Sequence, residues 1–394
     1  MRPTIKYISF YDFPDSEVRR SYSLAATNKM DYIIDTLVKT GYDVEVVSAS
    51  ACTERGRLRW YKGKIESRQP HVKVRFFSSF RSAGKVWSLL RLIWSLLQLF
   101  VYLLRQVKKN ESILVYHSLC YYNIILIAQK IKRFKVILEV EEIYQDVSPM
   151  SKYLRRLEYR MIGLADKFIF STDLLNEKVN IGDKPYVVVY GTYRSEPYLS
   201  DRFDDDKIHV VYAGTLDPRK GGGIVAATMA EYLTPEYRVH ILGFGREEEI
   251  RAIKSMCVEV TNRGGASVTY DGLLKGEAYI EFLQKCQIGL STQNPLAKFN
   301  NTSFPSKILS YMSNGLQVVS VDIDAIRRSP VSEYIYFYRE QTPEDIARTI
   351  LNIDWNSPFD TRAVVQNLDY RFVEQMRSFL DDKTRQHKKQ ICRE

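Results

Sequence analysis

The chain has 394 residues, of which 45% are hydrophobic and 26% are charged. This length and composition predict a soluble globular protein with two α/β domains. The opening residues MRPTIKYISFY have the pattern of a strand, so we expect no signal peptide. The five cysteines and five histidines show no metal-ligand spacing, which argues against a structural zinc site or a disulfide framework and favours a reducing cytosol.

The net charge of +10 is concentrated in one region of the first half. Residues 51–110 contain fourteen lysines and arginines but only two acidic residues, Glu54 and Glu66. This local excess of twelve positive charges is larger than the excess of the whole chain. It predicts an anionic partner, which would be a membrane surface, a lipid that carries a pyrophosphate, or a nucleic acid.

The first elements form a βαβ pattern. A buried strand, IKYISF, is followed by a polar loop over residues 11–28, a helix with apolar positions from Met30 to Val38, a stop at Gly41 and a second strand, DVEVVSAS. This alternation predicts a parallel sheet. The loop does not match GxGxxG and the chain contains no GxxxxGKS/T, so dinucleotide and P-loop sites lack their fingerprints.

Residues 85–105 form the most apolar stretch and carry one narrow polar stripe. The stripe consists of Ser88, Arg91, Ser95, Gln98, Tyr102 and Arg105. We expect a helix whose wide apolar face is buried against the sheet of its own domain. The alternative is a helix that leaves part of this face, with Trp87 and Trp94, at a lipid interface. A membrane-spanning helix is disfavoured because Arg91 and Gln98 would lie in the bilayer.

An acidic turn follows the strand KVILEV. Its polar residues are Glu139, Glu141, Glu142, Tyr144 and Asp146. They lie at the carboxyl end of a strand, where open α/β sheets bind ligands. Neighbouring carboxylates that are partly buried raise one another's pKa. This chemistry suits a general base or a group that binds a hydroxyl, whereas the alternative is a solvated acidic turn.

The pattern becomes polar and acidic over residues 191–207, where we place the domain linker. We therefore predict a first domain over residues 1–190 and a second domain over residues 208–360. Residues 361–394 are predicted to contain a polar C-terminal helix that packs back across the domain junction.

Four strand ends of the second half carry glycine-rich or lysine-bearing turns. They are AGTLDPRKGGG, HILGFG, VTYDGLL and QIGLSTQNP, and the last leads into FNNTSFPSKILSYMSNGLQVVS over residues 299–320. In that stretch Pro305 suits a first helical position, Ser303 a cap and Gly315 the helix stop. A helix N-terminus with serines and a lysine predicts an anion site, although an ordinary loop-to-helix junction is the alternative.

Taken together, AGTLDPRKGG, HILGFG, VTYDGLL and FPSKILSYMSNGLQVVS resemble, in order and spacing, the donor domain of GT-B glycosyltransferases. The resemblance implies an α/β fold of two Rossmann-like domains with parallel sheets facing across a cleft. It implies that the second domain holds a nucleotide-diphosphate sugar, that the first holds the acceptor, and that catalysis needs no metal or other cofactor. The F-P-S-K-x-x-x-Y-M pattern is similar to a branch that modifies bacterial polysaccharides and adhesins.

The resemblance also implies roles for individual residues. Lys220 falls on the phosphate lysine of the family's G-R-L-x-x-x-K-G motif, whose arginine is Thr215 here, with Arg219 as a stand-in. The predicted catalytic residues are Glu141, Glu142, Lys220 and Lys307. The predicted donor site comprises Gly214, Thr215, Arg219, Lys220, Gly243, Phe244, Gly245, Asp271, Gly272, Leu273, Ser303, Pro305, Ser306, Lys307 and Tyr311. The predicted acceptor site comprises Asn28, Glu139 and Tyr144.

The chain departs from the family at one important pair of positions. The commonest retaining members carry two glutamates eight residues apart before the glycine that matches Gly315. This chain has Thr302 and Ser310 at those positions. Retention of the anomeric configuration is therefore not implied by the resemblance.

We therefore expect a metal-independent hexosyltransferase that moves a sugar from a UDP-sugar to a hydroxyl of a glycan or lipid-linked saccharide in bacterial surface polysaccharide synthesis. We expect it to be cytoplasmic and peripheral at the inner face of the cytoplasmic membrane, which it meets through residues 51–110, with no nucleic-acid partner. One alternative is a nucleotide-sugar epimerase of the same fold. Another is a basic nucleic-acid-binding protein, although residues 51–110 contain no recognised motif for it.

Overall fold

The structure is a computed structural model that describes residues 2–147, 149–218, 222–295, 300 and 302–381. The chain divides into two compact units, of which the first is Met1–Val189 with Arg371–Glu394 and the second is Tyr190–Tyr370. Each unit is built on one large and mainly parallel sheet with helices between its strands. This confirms the predicted α/β class.

The first unit contains an eight-stranded sheet and a small two-stranded sheet. Its strands are β1 (Thr4–Ser9), β2 (Asp43–Ser48), β3 (Arg59–Tyr61), β4 (Lys64–Gln69), β5 (Val72–Phe76), β6 (Ser79–Arg81), β7 (Ser112–Tyr116), β8 (Lys135–Val140), β9 (Lys167–Phe170) and β10 (Tyr186–Val188). The large sheet has the order β10-β9-β8-β7-β1-β2-β5-β4, and its edge strand β4 runs antiparallel to β5. Strands β3 and β6 form the small antiparallel sheet.

The order of the large sheet reverses between β1 and β7. Connections on the two sides of such a point leave in opposite directions, which opens a crevice at the carboxyl ends of the strands. The central strands are nearly continuous apolar runs because helices cover both faces of a parallel sheet. Strand β8, for example, is buried from Val136 to Val140, and Glu139 is the charged residue within that run.

The helices of the first unit follow its strands in alternation. They are α1 (Leu24–Lys39), α2 (Lys85–Gln106), α3 (Leu119–Lys132), α4 (Tyr144–Val147), α5 (Lys152–Leu164) and α6 (Asp173–Val179). Helix α1 buries Met30, Ile33 and Leu37, as its apolar periodicity predicts, and it ends just before Gly41, whose φ is +98°.

Helix α2 meets the first unit with its polar stripe and leaves much of its apolar face outside. Arg91, Ser95 and Tyr102 are buried, whereas Ile93 and Leu97 are about half exposed. The expectation that the wide apolar face is buried is therefore wrong, because hydrogen bonds of the polar stripe set the orientation of the helix. By length and composition alone, α2 is long and apolar enough to cross a membrane.

The second unit contains a six-stranded sheet in which all neighbouring strands are parallel. Its strands are β11 (Ile208–Thr215), β12 (Tyr237–Phe244), β13 (Ser267–Gly272), β14 (Ile288–Ser291), β15 (Gln317–Val321) and β16 (Ile335–Tyr338). The order β13-β12-β11-β14-β15-β16 reverses between β11 and β14. Its α-helices are α7 (Gly222–Thr228), α8 (Glu247–Asn262), α9 (Glu277–Lys285), α10 (Lys307–Ser313), α11 (Asp324–Arg327) and α12 (Pro343–Leu351). Helix α13 spans Thr361–Leu380.

The segment that we predicted as a linker is hydrogen-bonded into the second unit. The Gln284 side chain accepts from the backbone N–H of Leu199 at 2.7 Å and donates to the carbonyl of Pro197 at 2.7 Å. In the first unit, the later part of α13 places Phe372 on the ring of Tyr32, with ring centres 5.7 Å apart.

Candidate functional site

In the second unit, one buried tyrosine joins the two strands at which the strand order reverses. The Tyr311 hydroxyl accepts from the backbone N–H of Ala213 on β11 at 2.8 Å and donates to the carbonyl of Leu290 on β14 at 3.2 Å. These bonds fix α10 at the strand ends. We predicted that Tyr311 lines the donor site, but its side chain is completely buried and its hydroxyl is used by the backbone. Tyr311 therefore positions α10, and its side chain has no exposed surface in this structure.

Lys307 is the first residue of α10, and its ammonium lies at the end of β11. Its Nζ is 4.3 Å from the centre of the Tyr212 ring. A Cβ atom built on Gly214 would lie 3.1 Å from the same Nζ and 2.9 Å from the Tyr212 hydroxyl. Glycine at position 214 therefore leaves room for the lysine. The structure thus brings together two predicted donor-site residues, Gly214 and Lys307.

The ends of β11 and β12 approach each other too closely for any side chain at Gly243. Gly243 pairs with Gly214 in the sheet and has a φ of +153°. A Cβ atom there would lie 1.8 Å from the carbonyl oxygen of Gly214, so glycine is required. The next pair is Thr215 and Phe244, and Phe244 is 58% exposed at this edge. Gly245 follows, before the start of α8.

The glycine-rich loop after β11 is described as far as Pro218 and again from Gly222. Arg219 and Lys220 lie outside the described residues, so their contacts with a diphosphate stay a prediction. At the end of the loop, the Thr292 hydroxyl donates to the carbonyl of Gly222 at 2.9 Å. This bond ties the start of α7 to the segment that follows β14.

Helix α10 begins later than the sequence predicts. Its first residue is Lys307 and its N-cap is Ser306, whose side chain makes no capping hydrogen bond. Our assignment of Pro305 as a first helical position and Ser303 as the cap is therefore wrong. Ser303 and Pro305 are half-buried in the preceding loop, and Ser306 is exposed. The stop at Gly315 is confirmed, since this residue has a φ of +82° and its N–H donates to Met312 at 3.0 Å.

Neither residue at the family's glutamate positions offers a carboxylate in this chain. Thr302 is buried, with 2% of its surface exposed. The Ser310 hydroxyl lies 3.4 Å from that of Tyr279.

The end of β13 carries three predicted donor-site residues, Asp271, Gly272 and Leu273. Leu273 is exposed, but Asp271 Oδ2 lies 3.1 Å from Nδ1 of His240. A chain of contacts continues through two buried histidines to an exposed carboxylate. His240 Nε2 lies 2.9 Å from His209 Nδ1, and His209 Nε2 lies 2.7 Å from Asp205. Asp271 is thus already engaged within the second unit.

The histidine relay has a definite electrostatic consequence. Burial lowers the pKa of His209, which the hydrogen bond to Asp205 partly opposes. No short motif predicts this pair of histidines, because they are 31 residues apart in the sequence. Parallel pairing of β11 and β12 brings them together.

In the first unit, Glu139 is a buried acid beneath the predicted acceptor site. It is fully buried on β8 and accepts a hydrogen bond from the Tyr7 hydroxyl. Burial raises its pKa well above the usual range, and the negative charge of Glu141 raises it further. We predicted that Glu139 binds the acceptor. Because its side chain has no exposed surface, it can act only through its neighbours.

Glu141 follows β8 and is paired with a lysine from α1. Its carboxylate lies 2.8 Å from Nζ of Lys29, whose side chain is 9% exposed, while that of Glu141 is 25% exposed. Glu141 therefore keeps part of its surface accessible while a buried cation fixes its position. Lys29 was missed because a lone lysine in an amphipathic helix carries no motif, and the two residues are 112 positions apart.

The other predicted acceptor-side residues differ in exposure. The Tyr144 hydroxyl donates to the carbonyl of His117 at 2.8 Å, and its backbone N–H donates to Glu158 at 3.0 Å. Burial raises the pKa of the Tyr144 phenol above its usual range. Glu142 is half-buried, and Asn28 is exposed on α1, one residue before the lysine that binds Glu141.

The two units thus present different chemistry at their strand ends. Within its described residues, the second offers uncovered backbone at Gly214 and Gly243 together with the ammonium of Lys307, which suit an anion. The first offers a partly exposed carboxylate, which can accept a proton from a hydroxyl. Within the described residues, no group of three or more histidine, cysteine or acidic side chains is arranged to hold a metal ion.

Neither a protein-family model nor the sequence of a curated protein matches the chain. Its structure is similar to a solved structure described as trehalose-6-phosphate from E. coli bound with UDP-2-fluoro glucose, with a TM-score of 0.64 and 10% identity, covering 96% of this chain and 98% of that one. For sucrose-phosphate synthase from Thermosynechococcus elongatus, the TM-score is 0.60 and the identity 14%, covering 100% of this chain and 98% of that one.

A third similar structure is AviGT4, a glycosyltransferase involved in avilamycin A biosynthesis. Its TM-score is 0.53 and its identity 13%, and the match covers 96% of this chain and 98% of that one. At these identities the likeness establishes the fold. The chain has the GT-B fold of two Rossmann-like α/β domains, as its sequence motifs predict.

Proposed function

We propose that the protein is a glycosyltransferase that moves a sugar from a nucleotide-diphosphate sugar to a hydroxyl group of a saccharide. The observation that carries the proposal is the Lys307 ammonium beside Gly214, at the reversal of strand order in the second sheet. Open α/β sheets bind their ligands at such a point. When the bond between the anomeric carbon and the diphosphate breaks, negative charge grows on the leaving group, and a cation on bare backbone stabilises it.

The proposed donor is a UDP-sugar. The similar E. coli structure is described as bound with UDP-2-fluoro glucose, which supports this choice of nucleotide. Arg219 and Lys220, which the sequence motif assigns to the diphosphate, would add their charges to that of Lys307. Three cations around one diphosphate would allow transfer without a metal ion or another cofactor.

Glu141 is proposed as the residue that orients and deprotonates the acceptor hydroxyl. It is a partly exposed carboxylate at a strand end, and its ion pair with Lys29 holds it in one place. Glu142 is the second candidate for this role. The fully buried Glu139 and the half-buried Tyr144 make hydrogen bonds that fix the turn.

The acceptor is proposed to be a lipid-linked saccharide that carries a pyrophosphate, in the synthesis of a bacterial surface polysaccharide. The positive charge of residues 51–110 supports an anionic acceptor, and the F-P-S-K-x-x-x-Y-M pattern supports this branch of the family. A hexose is the proposed sugar. The protein would then work in the cytoplasm at the inner face of the cytoplasmic membrane.

Thermal unfolding with a panel of nucleoside diphosphates and their sugars tests the donor proposal. A ligand that binds only the folded state stabilises it by about 2.7 kcal/mol at a hundred times its dissociation constant. We expect one nucleotide to raise the melting temperature. The rise should be smaller in Lys307→Ala than in Lys275→Ala, which removes an exposed lysine of the same unit.

Two results would contradict this proposal. The first is no stabilisation by any nucleotide at millimolar concentration, together with salt-sensitive binding of DNA or RNA by the same protein. The second is conversion of the nucleotide sugar to an isomer in the absence of any acceptor, which would indicate an epimerase.

A further inference from the structure

Helix α2 is inverted relative to an ordinary amphipathic helix of a soluble protein, because the polar residues of its middle part point inward. The Ser95 hydroxyl donates to the carbonyl of Ala49 at 2.6 Å, and the Gln98 amide donates to that of Ser78 at 2.9 Å. Further along, the Tyr102 hydroxyl donates to Glu45 at 2.8 Å. The polar stripe from Arg91 to Tyr102 is therefore engaged in contacts within the first unit, whereas Ser88 and Arg105 at its ends are exposed.

Apolar side chains form the outer face of α2. They recur at three- and four-residue steps and so line one side of the helix. Their exposed fractions are 70% for Val86, 43% for Leu90, 51% for Ile93, 49% for Leu97 and 38% for Val101. Soluble proteins rarely expose a continuous apolar stripe of this length, and such stripes mark interaction surfaces.

The small sheet of β3 and β6 extends this surface with aromatic rings. Trp60 on β3 is 53% exposed, and its ring stacks on Phe80 with centres 6.0 Å apart. Trp87, on the first turn of α2, is 45% exposed and meets Phe80 edge-on at 6.0 Å. Amphipathic tryptophans are enriched where proteins meet the interfacial region of a bilayer.

A groove beside α2 continues the apolar surface. It has a volume of about 720 Å³, and Leu97 and Val101 of the exposed stripe also line it. Ile65 from β4 lines it as well, together with the charged side chains of Lys64 and Arg105. Apolar walls with cations suit a molecule that has both an alkyl chain and a phosphate.

Exposed cations flank the apolar stripe at both ends of α2. On the segment that contains β3 they are Arg55, Arg57, Arg59 and Lys62, and at or next to the helix ends they are Lys85, Arg105, Lys108 and Lys109. Each lysine or arginine near an anionic leaflet adds about 1 kcal/mol of attraction. The charge of this region is thus arranged around an apolar face.

We infer that the outer face of α2, with β3 and β6, docks the protein on an anionic phospholipid bilayer. The occupant of this face is the lipid surface, because its apolar stripe suits acyl chains and its flanking cations suit anionic headgroups. The helix lies in the plane of the interface and does not cross the bilayer. Crossing would strip Arg91, Ser95 and Gln98 of hydrogen-bond partners that they already have within the unit.

Docking goes beyond sugar transfer and is measured without any nucleotide sugar, so the two proposals can fail separately. The full chain is sedimented with vesicles of phosphatidylcholine alone or with about 30 mol% phosphatidylglycerol. We expect binding to the anionic vesicles, and we expect Ile93→Gln/Leu97→Gln to lower the partition coefficient by at least about tenfold. The matched control is Val258→Gln/Leu351→Gln, which removes two exposed apolar side chains from the second unit.

The charge is tested by a second pair of variants. Arg57→Ala/Arg59→Ala/Lys62→Ala should weaken binding to anionic vesicles by about 100-fold and leave weak binding to neutral vesicles unchanged. Lys207→Ala/Arg251→Ala/Lys275→Ala removes three exposed cations from the second unit and should have little effect. Equal effects of the two triple variants would show that net charge, and not this surface, attracts the protein.

Fluorescence identifies the docking face directly. Lipids with brominated acyl chains should quench Trp60 and Trp87. The absolute loss of emission should therefore fall clearly in Trp87→Phe and stay unchanged in Trp355→Phe, which lies in the second unit. If the Ile93→Gln/Leu97→Gln variant dissociates a dimer in light scattering and binds vesicles as well as the unmodified protein does, the face joins two copies of the chain and the inference is overturned.

Discussion

The strand ends of the two units differ in chemistry although each unit is built on one mainly parallel sheet. In both, the order reverses next to the first strand of the unit, at β1 and β7 in the first and at β11 and β14 in the second. The second unit has Gly214, Gly243 and the Lys307 ammonium near this point. The first has the buried acid Glu139 and the pair of Lys29 and Glu141.

This difference shows which features of the chain determine the position of a ligand site and which determine its chemistry. The order of the strands determines where each sheet can receive a ligand. The residues just beyond the strands determine its charge, because bare backbone with a cation attracts an anion and a carboxylate does not. The same type of fold therefore carries different side chains at its strand ends in the two units, and function has to be argued from these residues.

The largest effect is expected from Lys307→Ala. If the second unit holds the leaving diphosphate, loss of this cation should lower turnover by about 10²- to 10³-fold, because the charge that grows in the transition state loses its partner. Steady-state sugar transfer measures the effect, with Lys275→Ala as the control for loss of a positive charge. Turnover within about threefold of the unmodified protein would remove Lys307 from the mechanism.

The sequence predicts those residues whose structural requirement arises from neighbours within a short motif. The turns after β11 and β12 need glycine because two strand ends nearly touch, so Gly214 and Gly243 carry a signal in a short motif. Lys307 lies in the same motif as the helix that positions it. The fold class followed from the alternation of strands and helices, each of which is readable within a few residues.

The residues that sequence missed depend on contacts between distant segments. Lys29 and Glu141 are 112 positions apart, and His209 and His240 are 31 apart. The orientation of α2 was missed for a related reason. Its periodicity reveals one polar and one apolar face, but only partners elsewhere, such as Ala49 and Ser78, show which face points inward.

The next largest effect is expected from Gly243→Ala, which should lower the stability of the second unit. A methyl group would lie 1.8 Å from the carbonyl oxygen of Gly214 and would hold φ near an unfavourable +153°. We expect the second unit to lose about 3 kcal/mol of its free energy of unfolding, measured by urea denaturation. Gly264→Ala is the matched control, since its φ is +91° and a Cβ atom there meets nothing within 4 Å. Equal losses of unfolding free energy in the two variants would show that the positive φ alone, and not the close contact with Gly214, destabilises Gly243→Ala.

Glu139→Gln tests the buried acid of the first unit. The folded-state pKa of Glu139 is raised by burial and by Glu141, so its contribution to stability is present below the unfolded pKa and lost as pH rises. The variant cannot ionise. Its stability relative to the unmodified protein should therefore grow by up to about 1.4 kcal/mol per pH unit above about pH 4.5.

Hydrogen exchange in peptides from β8, at pH values from 5 to 8, measures this difference within the first unit. Glu17→Gln, which removes an exposed carboxylate, controls for the change in net charge. A difference between Glu139→Gln and the unmodified protein that does not change with pH would mean that Glu139 gains no stabilisation from holding its proton.

The smallest effect is expected from His209 in the second unit. Its pH dependence of stability has the opposite sign to that of Glu139. Burial lowers the pKa of His209, so the stability linked to this group is present above the unfolded value of about 6.5 and lost as pH falls below it. Protection of β11 peptides against hydrogen exchange should therefore weaken between pH 7 and pH 5. His209→Gln cannot be protonated and should weaken less over the same range. If the two proteins lose the same protection, another group controls the acid sensitivity of the second unit. The contrast between Glu139, which burial keeps protonated, and His209, which burial keeps neutral, would then fail.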